Sequence, residues 1–444
     1  MESALPLTAR TKLRVPWVAA CVGSALLALF LALGLFLSRA PLPMPVVLGF
    51  GIGLLGTLAL ALTRYDAAVG LGILLLAAVR IEPAPSDLVL GVLIAVAFAT
   101  WRFELHRVPL SVTLLVSAFL ALNLIASIEA DDPARAINYF AITLYLGVLG
   151  LWLASYVHTD RRARLVLVAY LAAAVASAAA ASVALFMQFP GSEFLVIGPR
   201  AQGLFKDPNV FGPFLVPAAL ILMEETVAPR LLRLRLPVKL VFLAVLSLGV
   251  LFSFSRAAWL NFAVGTVVLL FVLALRRGGL RQALSLLLVT LAAGAALLAV
   301  AAATSSLSFL EQRAGVQAYD TQRFGAQRSS IELASEHPLG IGPGQFERVS
   351  EISAHSTFVR ALAEEGVLGL LVVLAVMLLT LGFAARNATA SFGAYGIGSA
   401  ALLGAWTGLL ANSFFVDTLH WRHLWVVAAL IWAATALRIR YPRR

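Results

Sequence analysis

Three arginines in this chain stand where apolar runs end: Arg200 in Gly198-Pro199-Arg200-Ala201-Gln202-Gly203, Arg256 in Phe252-Ser253-Phe254-Ser255-Arg256, and Arg360 five residues after His355. A guanidinium presents fixed donors that match phosphate oxygens, so arginines at a lipid–water boundary suit a lipid-linked phosphate. Lys206 and Asn209 follow Arg200 closely and could add a point charge and a sugar ligand. Asp207-Pro208-Asn209 also reads as a helix start, with Asp207 as N-cap and Pro208 in the first position. Histidine is the usual proton acceptor near neutral pH, which singles out His337 and His355. His337 opens the run His337-Pro338-Leu339-Gly340-Ile341-Gly342-Pro343-Gly344, a backbone that could approach a ligand closely at Gly342 and Gly344. Each of these groups has a plainer reading: Arg256 could snorkel to headgroup phosphates, and a lone histidine is more often structural. No Asp-x-Asp, His-Glu-x-x-His or cysteine pair occurs, since Cys21 is alone, so no metal site is expected. Nor is there a phosphate-cradling Gly-x-x-x-x-Gly-Lys, so ATP hydrolysis is not expected, and no cofactor is implied.

The elements that position these groups must lie in a membrane. The chain is 61% hydrophobic and 12% charged, with a mean hydropathy of +0.94. Soluble chains carry about 45–50% apolar and about 25% charged residues. Runs of roughly 20 apolar residues, the length a spanning helix needs, give about fourteen candidates. They lie near 15–38, 44–63, 66–80, 86–101, 109–128, 136–157, 165–189, 209–226, 238–254, 257–275, 282–304, 366–385, 391–413 and 423–438. The runs at 66–80 and 86–101 are short and could hold one span plus a re-entrant piece. The expectation is an all-α polytopic inner-membrane protein of about 12–14 spans, one integral membrane domain over residues 1–444. Its one long loop, 305–355, is polar and partly helical, with a weak helical pattern from Gln327 to Glu336. Loops of that length are usually functional or disordered.

The net charge of +11 would suggest nucleic acid in a soluble chain, but its distribution gives topology instead. With the N-terminus inside, alternate loops collect 21 of the 33 basic residues and 6 of the 22 acidic ones. The inside then sums to +15 and the outside to −4. Both termini are therefore expected in the cytoplasm, with Arg200, Arg256, Arg360, His337, His355 and the long loop on the outer face. No nucleic-acid partner is implied.

Four segments together resemble the bacterial O-antigen ligase and O-antigen polymerase family. They are Arg200 to Gly212, Phe254 to Trp259, His337 to Phe346, and His355-Ser356 followed after nine residues by Gly366-Val367-Leu368-Gly369. The last is similar to the ligase signature of a histidine, a small polar residue, nine positions and Gly-x-x-Gly. The resemblance covers about residues 200–370 and implies a glycan transferred from undecaprenyl diphosphate to an acceptor hydroxyl on the periplasmic face. By resemblance His355 is the essential histidine and Arg200 and Arg256 bind the diphosphate. Arg328 is similar to a further basic position, with Lys206, Asn209, His337, Gly342 and Gly344 as possible substrate contacts. The implied reaction is inverting and independent of metal and ATP. Its acceptor is lipid A–core for a ligase, as the nine-residue spacing favours, or another lipid-linked glycan for an O-antigen or exopolysaccharide polymerase. A transporter or flippase for a lipid-linked saccharide is the rival from another class, but no acidic residue clearly sits at the centre of a span.

Overall fold

A computed structural model describes residues 44–276, 278–303, 318–350, 353–389 and 399–440. The expected span at 15–38, the N-terminal Arg10, Lys12 and Arg14, Cys21, Arg277, Arg443, Arg444, the first part of the long loop and the start of the 391–413 run lie outside these residues. The first helices are α1 (Met44–Thr63), α2 (Tyr65–Leu74), α3 (Pro85–Ala99), α4 (Leu110–Ala126), α5 (Pro133–Tyr156) and α6 (Asp160–Ala184). A hairpin of β1 (Val196–Ile197) and β2 (Arg200–Ala201) then leads to α7 (Pro208–Val227), α8 (Leu236–Phe252), α9 (Arg256–Leu275) and α10 (Leu280–Ala303). The remainder holds α11 (Ala318–Glu336), α12 (Phe346–Val349), α13 (Thr357–Ala388), α14 (Ser399–Ser413) and α15 (Arg422–Arg440).

This is an all-α polytopic membrane protein. Among the described residues, six helices are long and apolar enough to cross a bilayer: α4 with its extension to Glu129, α5, α6, α7, α9 and α13. The 66–80 and 86–101 runs fold as two separate helices, α2 and α3, which at about 1.5 Å per residue reach only ~15 and ~22 Å. The long loop is more helical than its pattern suggested, since α11 already starts at Ala318. The helix expected to begin near 366 begins at Thr357, where the Ser356 side chain caps it, and Gly366 (φ 69°, ψ −171°) interrupts it. Polar first turns are invisible to a search for apolar runs.

Helix α7 is deeply buried: its residues Phe211 to Met223 are buried without exception, around Pro213 and Pro217. Its start follows the reading of the sequence, with Asp207 accepting a hydrogen bond from the Asn209 amide at 2.8 Å and Pro208 in the first turn. Helix α5 gives the scale of the bundle, since 24 residues span ~36 Å. At its start Asp132 meets Gln345, and at its end Tyr156 meets Asp66. Arg135, Arg348 and Arg360 gather near Asp132 at one end of α5, and Arg102, Arg107 and Arg162 near Tyr156 at the other.

Candidate functional site

Arg200 is fixed by a hairpin and then spent on two partners. It pairs with Ile197 across the strands, its Nε donates to the Ser253 carbonyl at 2.9 Å, and its Nη2 donates to Asn209 Oδ1 at 3.1 Å. Ser253 ends α8, Phe254 turns the chain with φ 47°, and Ser255 caps α9, of which Arg256 is the first residue. The corner closes on Gly212 of α7: a Cβ there would lie 2.6 Å from Ser253 Oγ and 2.7 Å from Ala258 Cβ. Arg200, Asn209 and the turn carrying Arg256 thus form one half-buried cluster. Lys206 stands at its edge, 2.7 Å from Glu82, with half of each side chain exposed. An ion pair that open contributes about 0–1 kcal/mol.

His355 lies in a segment held from both sides. Ser353 Oγ donates to Glu347 Oε1 at 3.2 Å and accepts from Arg360 Nη2 at 3.2 Å. Ser356 Oγ donates to the Ser413 carbonyl at 3.4 Å while capping α13. Between these serines His355 adopts φ 46°, a left-handed conformation that costs a non-glycine residue about 1–3 kcal/mol and persists only where its surroundings impose it.

The glycine-rich run wraps a carboxylate. The Gly344 amide donates to Glu364 Oε2 at 2.8 Å, the Phe346 amide to Oε1 at 3.2 Å, and the Gly342 amide to the Glu364 carbonyl at 3.0 Å. The close approaches expected at Gly342 and Gly344 are made to protein: a Cβ at Gly344 would lie 2.5 Å from the Tyr139 ring, and one at Gly342 2.8 Å from Ala130 Cβ. Gly366 answers the same packing, because a Cβ there would lie 2.1 Å from the Pro338 carbonyl oxygen. The nine-residue spacing therefore measures the distance from the Ser356 cap to the break where α13 receives the Pro338 turn.

Beneath this run sits a charge network centred on Arg360, whose side chain is 7% exposed. It is ion-paired to Glu347, lies 3.2 Å from Asp417 and 3.6 Å from Glu364. Arg135 joins it through Glu347 at 3.1 Å and the Gly344 carbonyl at 2.5 Å. Asp132 and Gln345 exchange backbone and amide hydrogen bonds of 3.1 Å, and Arg348 reaches Asp132 at 2.9 Å. The backbone amide of Arg135, first among its causes, holds the Asp132 carboxyl below its ordinary range. His420 stands beside the network, 3.7 Å from Asp417 and 3.1 Å from Thr143 Oγ1. Burial pushes its pKa down, against the pull of Asp417.

Helices α9 and α14 connect the two clusters. They run antiparallel in backbone contact: a Cβ at Gly404 would lie 2.5 Å from the Gly265 oxygen, and one at Gly408 would lie 2.2 Å from Asn261 Oδ1. One further turn in the same register brings the start of α9 level with the end of α14. Arg256 begins α9, and Ser413, which ends α14, anchors Ser356. The His355 segment and Arg256 thus occupy the same end of one tightly packed helix pair.

Residues 241–374 match the family model described as O-antigen ligase. This supports membership of the O-antigen ligase and polymerase family and, in general terms, its glycosyltransferase-like activity. No curated protein matches the chain.

The matched residues include Arg256, Arg328, His337, Gly342, Gly344 and His355, whereas Arg200, Lys206 and Asn209 precede them. Arg200, Asn209 and Arg256 come together, and His355 is fixed at the same end of the bundle. Arg328 and His337 are exposed on and just after α11, His337 closing the helix through its amide to Leu333 at 2.8 Å. The sequence reading missed Arg135, Glu347, Asp417 and the anchoring role of Ser413. Arg360 and Glu364, four apart on a helix, carried a local signal. The partners outside that helix, 13 residues away for Glu347 and 57 for the Ser356–Ser413 contact, carried none.

Proposed function

We propose that this protein transfers a glycan from an undecaprenyl-diphosphate donor to an acceptor hydroxyl, on the periplasmic face of the bacterial inner membrane. The observation that carries the reading is the shared anchoring just described: Arg256 and the His355 segment meet at one end of the α9–α14 pair, with Arg200 tied to the turn before Arg256. The sugar–diphosphate bond is already activated, so what the reaction needs is stabilisation of a leaving anion and removal of one proton. Arg200 and Arg256 meet the diphosphate where negative charge grows. His355 accepts the proton of the acceptor hydroxyl as that oxygen attacks the anomeric carbon. The carbon–oxygen bond to phosphate breaks, its electron pair leaves with undecaprenyl diphosphate, and the anomeric configuration inverts. Excess positive charge on the opposite face agrees with this orientation.

The ligase reading, with lipid A–core as acceptor, is favoured by the His355-Ser356 to Gly366 spacing, which serves a local packing need in this fold. The test supplies purified protein with a lipid-linked glycan and either lipid A–core or a second lipid-linked glycan. A single product on lipid A–core identifies a ligase, and a ladder on undecaprenyl diphosphate a polymerase. Transfer to neither, with donor carried across a vesicle membrane, would replace the enzyme by a flippase.

A further inference from the structure

A cavity at the Tyr156 end of α5 has no part in the reaction just described. It encloses about 660 Å³, within the range of ligand sites, and lies a full helix length from His355. Arg64, Arg102, Arg107, Arg161 and Arg162 line it, against only two carboxylates, Asp66 and Glu104. Those two are already engaged: Asp66 lies 3.3 Å from Arg161, 3.4 Å from Arg162 and 2.8 Å from the Tyr156 hydroxyl, while Glu104 is paired with Arg107. Arg64 and Arg102 have no carboxylate partner among the described residues.

The cavity is also built, not merely charged. Its floor is aromatic, with the buried Tyr65 hydroxyl donating to the Leu93 carbonyl at 3.0 Å and accepting from Trp152 Nε1 at 3.0 Å. Two guanidinium planes are held against these rings, Arg162 4.5 Å from the Tyr156 centroid and Arg102 5.4 Å from that of Tyr65. Topology alone accounts for arginines on this face. It does not account for five of them converging on one hollow from three separate junctions between helices, or for two with no carboxylate partner among the described residues.

We infer that this cavity is a binding site for a phosphate-bearing anion at the membrane surface opposite the candidate active site. Phosphate oxygens accept from the guanidinium donors of Arg64 and Arg102, and the aromatic floor accommodates the apolar neck of a lipid headgroup. A phospholipid and a free organic phosphate share this chemistry, so the experiment separates them.

Full-length protein is placed in phosphatidylcholine nanodiscs, and binding is measured with phosphatidylglycerol in the disc and, separately, with glycerol 1-phosphate in solution. The expected result is saturable binding of one or both probes, weakened about tenfold or more in the Arg64→Gln/Arg102→Gln variant and unchanged in Arg233→Gln, an exposed arginine on the same face. Binding of phosphatidylglycerol alone identifies a lipid site; binding of glycerol 1-phosphate identifies the phosphoryl group itself as sufficient. Thermal unfolding in undoped discs checks the fold of the double variant, and Arg64→Gln alone, at the exposed rim, replaces it if that fold is lost. The inference is overturned if neither probe binds, if the arginine variants bind as wild type does, or if Arg233→Gln weakens binding equally.

Discussion

Replacing Arg360 by methionine removes the centre of the acidic network while keeping most of the side-chain volume. Breaking a buried ion pair from one side typically costs about 3–5 kcal/mol, because the partner charge stays buried. Here the partners differ in what they retain. Glu347, 23% exposed, keeps Arg135 at 3.1 Å, and Asp417, 14% exposed, keeps the Leu419 amide at 3.2 Å and contact with solvent. Glu364, 2% exposed, keeps only the Gly344 and Phe346 amides, so the uncompensated charge is chiefly its own. One orphaned carboxylate with two amide donors puts the loss at the lower end, about 3 kcal/mol. Adding Glu364→Gln neutralises that carboxylate and should restore about 1–2 kcal/mol, a coupling typical of residues in one network. The assay is equilibrium unfolding in mixed micelles, followed by tryptophan fluorescence, for wild type, both single variants and the double variant. A methionine variant within about 1 kcal/mol of wild type, or a double variant that simply sums the two losses, refutes the argument.

His355→Ala should leave donor binding nearly intact while single-turnover transfer falls by roughly 10²–10⁴, the usual share of a positioned base; an active variant removes His355 from the mechanism. Arg200→Ala and Arg256→Ala should each weaken donor binding by about tenfold or more, as loss of a charge-assisted bond does, and Arg233→Ala should not. Arg233 is the better control than Arg276, because Arg276 Nη1 lies 2.8 Å from the buried Glu224 and its loss would disturb the fold. Equal losses in all three variants would point to misfolding. His420 is held neutral by burial, so its folded pKa lies below the ordinary ~6.5 and the unfolded chain takes up the proton first. Stability should therefore fall as pH drops below about 6.5, and His420→Gln should lose part of that acid sensitivity; identical pH profiles from 5 to 8 would contradict this assignment.

Much of the fold could be read from composition and caps. Apolar runs located the helices, and Asp207-Pro208 marked the start of α7 to the residue. Where the reading fell short, the cause was physical. The first turns of α13 carry Arg360, Glu364 and Glu365, all buried by partners from elsewhere, so hydropathy placed the helix nine residues late. Gly342 and Gly344 did signal close approach, but a sequence cannot say whether a ligand or Tyr139 does the approaching. The Arg135–Glu347 pair joins residues 212 apart, a contact that only the packed bundle creates. Arg200 and Arg256 were visible because a cation beside an apolar run is locally anomalous, whatever its partner.

The contact between α9 and α14 also sets an order of events during biosynthesis. Translation and insertion proceed from the N-terminus, so Arg200 and Arg256 reach the membrane long before Ser413 exists. Until α14 docks along Gly265 and Asn261, Ser356 has no Ser413 carbonyl to hold and His355 no imposed backbone geometry. A chain at that stage would hold both proposed diphosphate-binding arginines while the proposed proton acceptor still lacks the Ser356–Ser413 anchor beside it. Competence arrives late, with the docking of a helix that itself carries none of the proposed reacting side chains.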